Sequence, residues 1–162
     1  MSKRFISIRR LAYRIAYFGW KILKRFFLKE TEGSQVVVRY NNKILLVKTC
    51  YRKTYSFPGG YVNRGELPKE AGIRELCEET GLTLEFNTVN FKCRHSVIQN
   101  GTECSDNFFE ARLEHDPSIH LKIDNVEIIE ASFFELEYLS QLDLDYNVIE
   151  YIDRFLNNLT IK

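Results

Sequence analysis

Proline is scarce in this chain. Three prolines and eight glycines in 162 residues exclude collagen-like and low-complexity architectures. The four cysteines (Cys50, Cys77, Cys93 and Cys104) have no C-x-x-C spacing, and they form no ligand pattern with His95, His115 and His120. A zinc site is therefore not expected, and the histidines read as structural or surface residues. A domain of this length needs no disulfide staples, so reduced thiols in a cytosolic compartment are the expectation. Acidic side chains are missing from residues 1–29, which carry nine basic ones; the remainder holds 14 basic against 22 acidic residues. The net charge of +1 thus joins a basic leader to an acidic domain. What is present in quantity is apolar: 44% hydrophobic and 14% aromatic residues are ample to offset chain entropy, which excludes disorder. The length fits one domain, 30–162, behind the leader, 1–29.

Long hydrophobic runs are absent from that leader too. Its longest charge-free stretch is residues 15–20, far short of the roughly twenty needed to cross a bilayer. Lys21, Lys24 and Arg25 interrupt what would be a signal-peptide core, and no small-residue cleavage site follows. At 100° per residue, Ile8, Leu11, Ala12, Ile15, Phe18, Ile22 and Phe26 fall on one side of a helix. Lys3, Arg10, Arg14, Lys21, Lys24 and Arg25 fall on the other. Such a basic amphipathic helix suits an anionic membrane surface. An apolar stripe packed on its own domain or on a second copy in a homodimer, and an Arg-rich mitochondrial presequence, are the other readings.

The body alternates strand and helix signals. Residues 35–40 (QVVVRY) and 43–49 (KILLVKT), separated by Asn41-Asn42, read as a hairpin after a linker at 29–34. Residues 67–80 read as a helix, with Pro68 at its start and Gly81 just past its end. Residues 90–99 and 107–113 read as strands around a turn at Asn100-Gly101, and 126–134 as a further strand. Asp145 caps a last helix with Val148, Ile152, Phe155, Leu156 and Leu159 inward. This mixture predicts an α/β fold, a mixed sheet with helices on both faces.

The chemistry concentrates in residues 57–82, FPGGYVNRGELPKEAGIRELCEETGL. Pro58-Gly59-Gly60 forms a glycine-rich turn that allows backbone to approach phosphate or metal. Glu75, Glu78 and Glu79 stand at i, i+3 and i+4, which gathers three carboxylates on one helix patch and suits a hard divalent cation. Gly60, Glu66, Arg74-Glu75-Leu76, Glu78-Glu79 and Gly81-Leu82 match all nine specified positions of the Nudix box, G-x5-E-x7-R-E-U-x-E-E-x-G-U with U apolar. The chain therefore resembles the Nudix hydrolases over the whole body, with the leader outside the likeness.

The resemblance implies an α/β/α sandwich and hydrolysis, dependent on Mg²⁺ or Mn²⁺, of a nucleoside diphosphate linked to another group. By position it implies Glu75, Glu78 and Glu79 as metal ligands, and Glu66 as an outer ligand or loop support. Arg74 would orient the glutamates, and Gly59 and Gly60 would face the phosphates. Outside the box, Glu127 best matches a further ligand or base, with Glu130 behind it, and Lys48 matches a phosphate-binding cation. Two departures stand out: Asn63 replaces a frequent glutamate, and Leu67 replaces the usual hydroxyl N-cap, at a cost of about 1 kcal/mol to the helix start.

Substrate markers downstream of the box are missing. Ile98 stands where ADP-ribose hydrolases would carry proline, and neither the dinucleoside-polyphosphate tyrosine nor the coenzyme A signature occurs. Tyr51, Tyr55, Phe57 and Phe91 are candidates to stack on a base. The expected partner is a nucleotide-type small molecule, not DNA, and the expected location is cytoplasmic, at the inner membrane surface if the leader binds lipid. A catalytically silent nucleotide-sensing module is the alternative, disfavoured by the intact glutamate set; an isoprenoid-diphosphate isomerase would need a cysteine–glutamate pair not identified here. Because every candidate ligand lies at Lys48 or later, a chain lacking residues 1–29 is expected to hydrolyse soluble nucleotide normally.

Overall fold

A computed structural model describes residues 6–13, 15–16, 19, 30–99, 102–123 and 125–156. In chain order these form α1 (residues 6–13), β1 (Glu30–Tyr40), β2 (Lys43–Thr49), β3 (Gly59–Tyr61), α2 (Pro68–Thr80), β4 (Asn90–Gln99), β5 (Thr102–Leu113), β6 (Ile128–Glu135) and α3 (Tyr146–Phe155). The strands make one mixed sheet ordered β4-β5-β1-β2-β6, with β3 added against β1. β1 and β5 run parallel along all of β1, and the other pairings are antiparallel.

The apolar run Val36-Val37-Val38 is fully buried because both faces of β1 are covered. Val37, Ile44 and Leu46 pack with Val148, Tyr151 and Ile152 of α3 on one face. Val36, Val38 and Leu45 pack with Leu76 of α2, Leu82 and Val89 on the other. This is the sandwich that the sequence implied. Asn41 takes a positive φ of 50° at the β1–β2 turn, a conformation asparagine tolerates.

Three expectations change. Residues 30–34 are strand, not linker: Glu30 to Ser34 pair with Glu103 to Asn107, so distant partners supply hydrogen bonds where local propensity is poor. The early part of β5, likewise invisible to periodicity, begins at Thr102. Pro58-Gly59-Gly60 leads into strand rather than a free turn. β1 pairs with β2 only at Arg39↔Ile44 and Tyr40↔Lys43, then parts from it, and Gly59–Tyr61 fills the wedge against Gly33, Ser34 and Gln35. The Asn100-Gly101 turn and Leu159 lie outside the described residues.

In the leader, Ile8, Leu11 and Ile15 are 61%, 57% and 65% exposed, while Ile6, Arg10 and Tyr13 are half-buried. The apolar stripe therefore faces away from the domain. Its continuation at Phe18, Ile22 and Phe26, and the basic residues Lys3, Arg14, Lys21, Lys24 and Arg25, lie outside the described residues. Among the described residues no helix is long and apolar enough to cross a membrane.

Candidate active site

Helix α2 begins without a side-chain cap at Leu67, but the Glu70 carboxylate accepts from the Leu67 amide at 3.3 Å, and Pro68 occupies the first turn. The helix ends at Gly81, whose φ of 75° is the left-handed conformation that terminates helices. Between these ends α2 presents Arg74, Glu75, Glu78 and Glu79 beside β3.

Arg74 is the hub of this group. Its Nε donates to Glu66 at 2.8 Å and its Nη2 to the same carboxylate at 3.1 Å, a bidentate pair. Nη1 donates to Glu75 at 2.6 Å and reaches Glu78 at 3.5 Å, and Nη2 also meets the Tyr61 carbonyl at 3.2 Å. The Asn63 amide donates to Glu66 at 2.9 Å. The Arg74 guanidinium, aided by that amide, holds the Glu66 carboxyl down at about 2.

Glu79 is treated in the opposite way. Burial pushes its carboxyl up to about 8, with the charges of Glu75 and Glu127 adding to the effect, although the Gly59 amide donates to it at 3.0 Å. Burial likewise raises Glu75 despite its contact with Arg74. A Cβ at Gly60 would lie 2.5 Å from the Glu75 carboxyl carbon, so any larger residue there would displace that carboxylate.

Glu75, Glu79 and Glu127 line one cavity of about 390 Å³ together with Gly59, Gly60 and Asn63. Glu127 arrives from the segment before β6, where its carbonyl accepts from the Cys50 amide at 2.7 Å. Its carboxylate accepts from the Tyr51 hydroxyl at 2.8 Å. Burial and the neighbouring Glu127 charge push the Tyr51 hydroxyl well above its usual range, so it stays a donor. Glu130 bonds Tyr55 instead, at 2.7 Å, and pairs with Lys48 across the sheet. Glu78 is well exposed and does not line the cavity.

A larger cavity, about 660 Å³, adjoins the first: Arg52, Gly59, Gly60 and Tyr61 line both. Its far side holds Asp106, which accepts from the Asn147 side-chain amide at 3.1 Å, and Tyr146 at the rim. A continuous cleft thus runs from a carboxylate cluster, past a glycine strand, into a polar chamber.

A family model described as NUDIX domain matches residues 31–155. The chain belongs to the NUDIX family. Among similar proteins, an ADP-ribose pyrophosphatase of Methanocaldococcus jannaschii is 32% identical over 96 residues, 51% of this chain and 57% of that protein. The chain thus matches little more than half of that relative's length. The NUDIX domain of Shewanella oneidensis NrtR, solved with ADP ribose, superposes with a TM-score of 0.68 at 16% identity, over 83% of this chain and 91% of that one. A MutT NUDIX hydrolase from Burkholderia pseudomallei gives 0.66 at 21% identity, over 78% and 98%. At such identities these two structures establish the fold.

Within this NUDIX domain, several residues singled out by sequence lie elsewhere. Lys48 lines neither cavity; its ammonium sits 4.7 Å over the Tyr55 ring. Tyr55 packs edge-on against Phe134 and lines neither cavity, while Phe57 is core, 2% exposed, and only its edge borders the larger cavity. Phe91 pairs with Phe109 and is remote from both linings. In their places stand Arg52, Tyr61, Tyr146, Asp106 and Asn147, together with Tyr13 and Ala16 of the leader, which also line the carboxylate cavity. No motif flags these residues, because they meet only through β3 insertion and the docking of α1 and α3. His95 is held by Glu150, Nδ1 to Oε1 at 2.7 Å, away from the cleft.

Among the described residues no three Asp, Glu, His or Cys side chains form a ready-made metal site; Glu75 is turned to Arg74 and Glu79 to Gly59. The donor set nevertheless fits a hard divalent cation. It is all oxygen, Glu75 and Glu79 are under-compensated for charge, and Arg52 is the one cationic side chain among the described residues lining that cavity.

Proposed function

We propose that this NUDIX protein hydrolyses the diphosphate of a nucleoside diphosphate linked to another group, in a reaction that requires Mg²⁺ or Mn²⁺. The observation that carries this reading is the convergence of Glu75, Glu79 and Glu127 on one cavity that opens, along Gly59–Tyr61, into a polar chamber of nucleoside size.

Glu75 and Glu79 would hold the cation, with Glu78 and Glu66 as outer supports. A divalent cation held there would neutralise diphosphate charge and make a nearby water a better nucleophile. Arg74 keeps Glu66 and Glu75 in place, and Gly60 leaves room for the Glu75 carboxylate. Glu127 takes the proton of the attacking water as its oxygen bonds phosphorus and the bridging P–O bond breaks. Tyr51 orients Glu127 for that transfer. Arg52, shared by both cavities, takes the phosphate-binding part assigned by sequence to Lys48. Tyr61 and Tyr146, 43% and 62% exposed, offer faces to the nucleoside.

The leader, with its apolar side outward and nine basic residues in its sequence, holds the domain on an anionic membrane surface, cytoplasmic in location. ADP-ribose, named for the Methanocaldococcus relative, belongs in the first substrate panel. Purified protein is to be incubated with nucleoside diphosphate derivatives and Mg²⁺ or Mn²⁺. Release of a nucleoside monophosphate identifies the reaction and the substrate. Tight nucleotide binding with no turnover under any metal would overturn the enzymatic reading in favour of a silent sensor.

A further inference from the structure

Helix α1 precedes the region shared with the NUDIX family, residues 31–155, yet it docks at the catalytic cleft. Arg10 makes polar contacts with the domain there. Arg10 directs Nε and Nη2 at one acceptor, the Asn125 carbonyl, at 3.2 and 3.0 Å. The Arg10 carbonyl in turn accepts from Cys50 Sγ at 3.8 Å. Both partners belong to the support of Glu127: Asn125 lies two residues before it, and the Cys50 amide holds its carbonyl. Val126 between them is fully buried, so this segment is fixed from both sides. One turn beyond Arg10, Tyr13 and then Ala16 line the cavity of Glu75, Glu79 and Glu127. A helix kept only for stability would bury its apolar stripe, whereas this one turns Ile8, Leu11 and Ile15 outward.

We propose that the leader helix is the outer wall of the substrate site, with Tyr13 a specificity-determining contact for the group carried on the diphosphate and Arg10 a positioning residue for the Glu127 segment. This rests on the hydrolase reading above and changes the expectation for the leader: its removal alters catalysis on soluble nucleotide as well as any attachment to lipid. Tyr13 lines the same cavity as Glu75 and Glu79 of the box helix, so it acts on substrate binding. Arg10 touches no substrate and acts through the placement of the Glu127 carboxylate.

The test uses the full chain with the derivative turned over fastest in the panel. Tyr13→Ala should raise KM about threefold or more at near-constant kcat. Arg10→Ala should lower kcat about tenfold with a smaller change in KM, and Arg10→Lys, which restores one donor, should recover part of the loss. A second readout is independent of turnover. In hydrogen exchange, α,β-methylene-ADP with Mg²⁺ should slow the amides of residues 6–16, and Tyr13→Ala should diminish that protection. If Tyr13→Ala and Arg10→Ala keep kcat and KM within about twofold while Glu79→Gln is inactive, the wall is refuted and the hydrolase reading stands. If the wild-type chain turns over nothing, the hydrolase reading fails, and exchange decides the wall: protection of residues 6–16 upholds it and unchanged exchange refutes it.

Discussion

The backbone amide of Gly59 donates to the carboxylate of Glu79 at 3.0 Å. With the Arg74 bond to the Tyr61 carbonyl, this bond ties the glycine strand to the box helix, and together with the Arg52 charge it partly offsets the burial of Glu79. With the carboxyl at about 8 against an ordinary 4.5, folded protein without metal keeps a proton there that unfolded chain has released. The unfolded state binds fewer protons through that window, so stability falls as pH rises from about 4.5 to about 8.

Glu79→Gln should therefore flatten the dependence. In chelator-treated protein, the wild-type melting temperature should drop between about pH 5 and pH 8.5, and the variant should drop less. The same substitution should reduce turnover by about 10²-fold or more at saturating metal. Turnover within threefold of wild type would remove Glu79 from the catalytic group.

Glu127 and Glu130 lie three residues apart but meet different partners, Tyr51 and Tyr55. Glu127→Gln should lower kcat by about 10²-fold with little change in KM, and Glu130→Gln should leave kcat within about twofold. Tyr51→Phe, which removes the donor to Glu127, should fall between them. A large loss in Glu130→Gln alone would reverse the assignment.

Arg74 serves Glu66 and Glu75 at once, and a lysine ammonium cannot reproduce that fork. Arg74→Lys should reduce kcat about tenfold and weaken the tie between the Asn63–Glu66 loop and α2. Because Glu66 is depressed to about 2, its contribution is present above pH 4.5 and lost on acidification toward about 2. The variant should show less of that acid-side loss, as read from melting temperatures across pH.

The Tyr151 hydroxyl donates to buried Glu110, which Arg112 also holds at 2.8 Å. Burial opposes ionisation of Glu110, but these two donors outweigh it and its pKa is lowered. Tyr151→Phe should cost about 1–3 kcal/mol at neutral pH. The difference from wild type should shrink as pH falls below the carboxylate range, as followed by denaturant titration.

The leader offers Ile8, Leu11 and Ile15 to the surroundings. Full-length protein should sediment with vesicles containing anionic lipid, less so as salt rises. Ile8→Glu with Ile15→Glu should abolish sedimentation without lowering the melting temperature, since neither side chain is buried. A salt-independent dimer that ignores vesicles would assign the stripe to a second copy.

Sequence alone determined the box and both sandwich faces. Fixed spacing from Gly60 to Leu82 needs no tertiary information, and β1's continuous apolar run can only be buried on both sides. Helix ends were equally local, set by Pro68, Gly81 and Asp145. What only tertiary structure decided were features made by distant backbone: strand pairing of residues 30–34, insertion of Gly59–Tyr61 where β1 and β2 part, and the separate partners of Glu127 and Glu130, Tyr51 and Tyr55. Pairing partners about seventy residues away supply hydrogen bonds that no local propensity encodes. Lys48 misses the cleft because a strand side chain's face follows register and not residue type, whereas Arg52, in the loop after β2, reaches it. The docking of Arg10 on Asn125, which sets Tyr13 at the cavity, joins positions 115 residues apart. Charge patterning could show the leader as an amphipathic helix, but which face meets the domain depends on where folding places acceptors such as the Asn125 carbonyl.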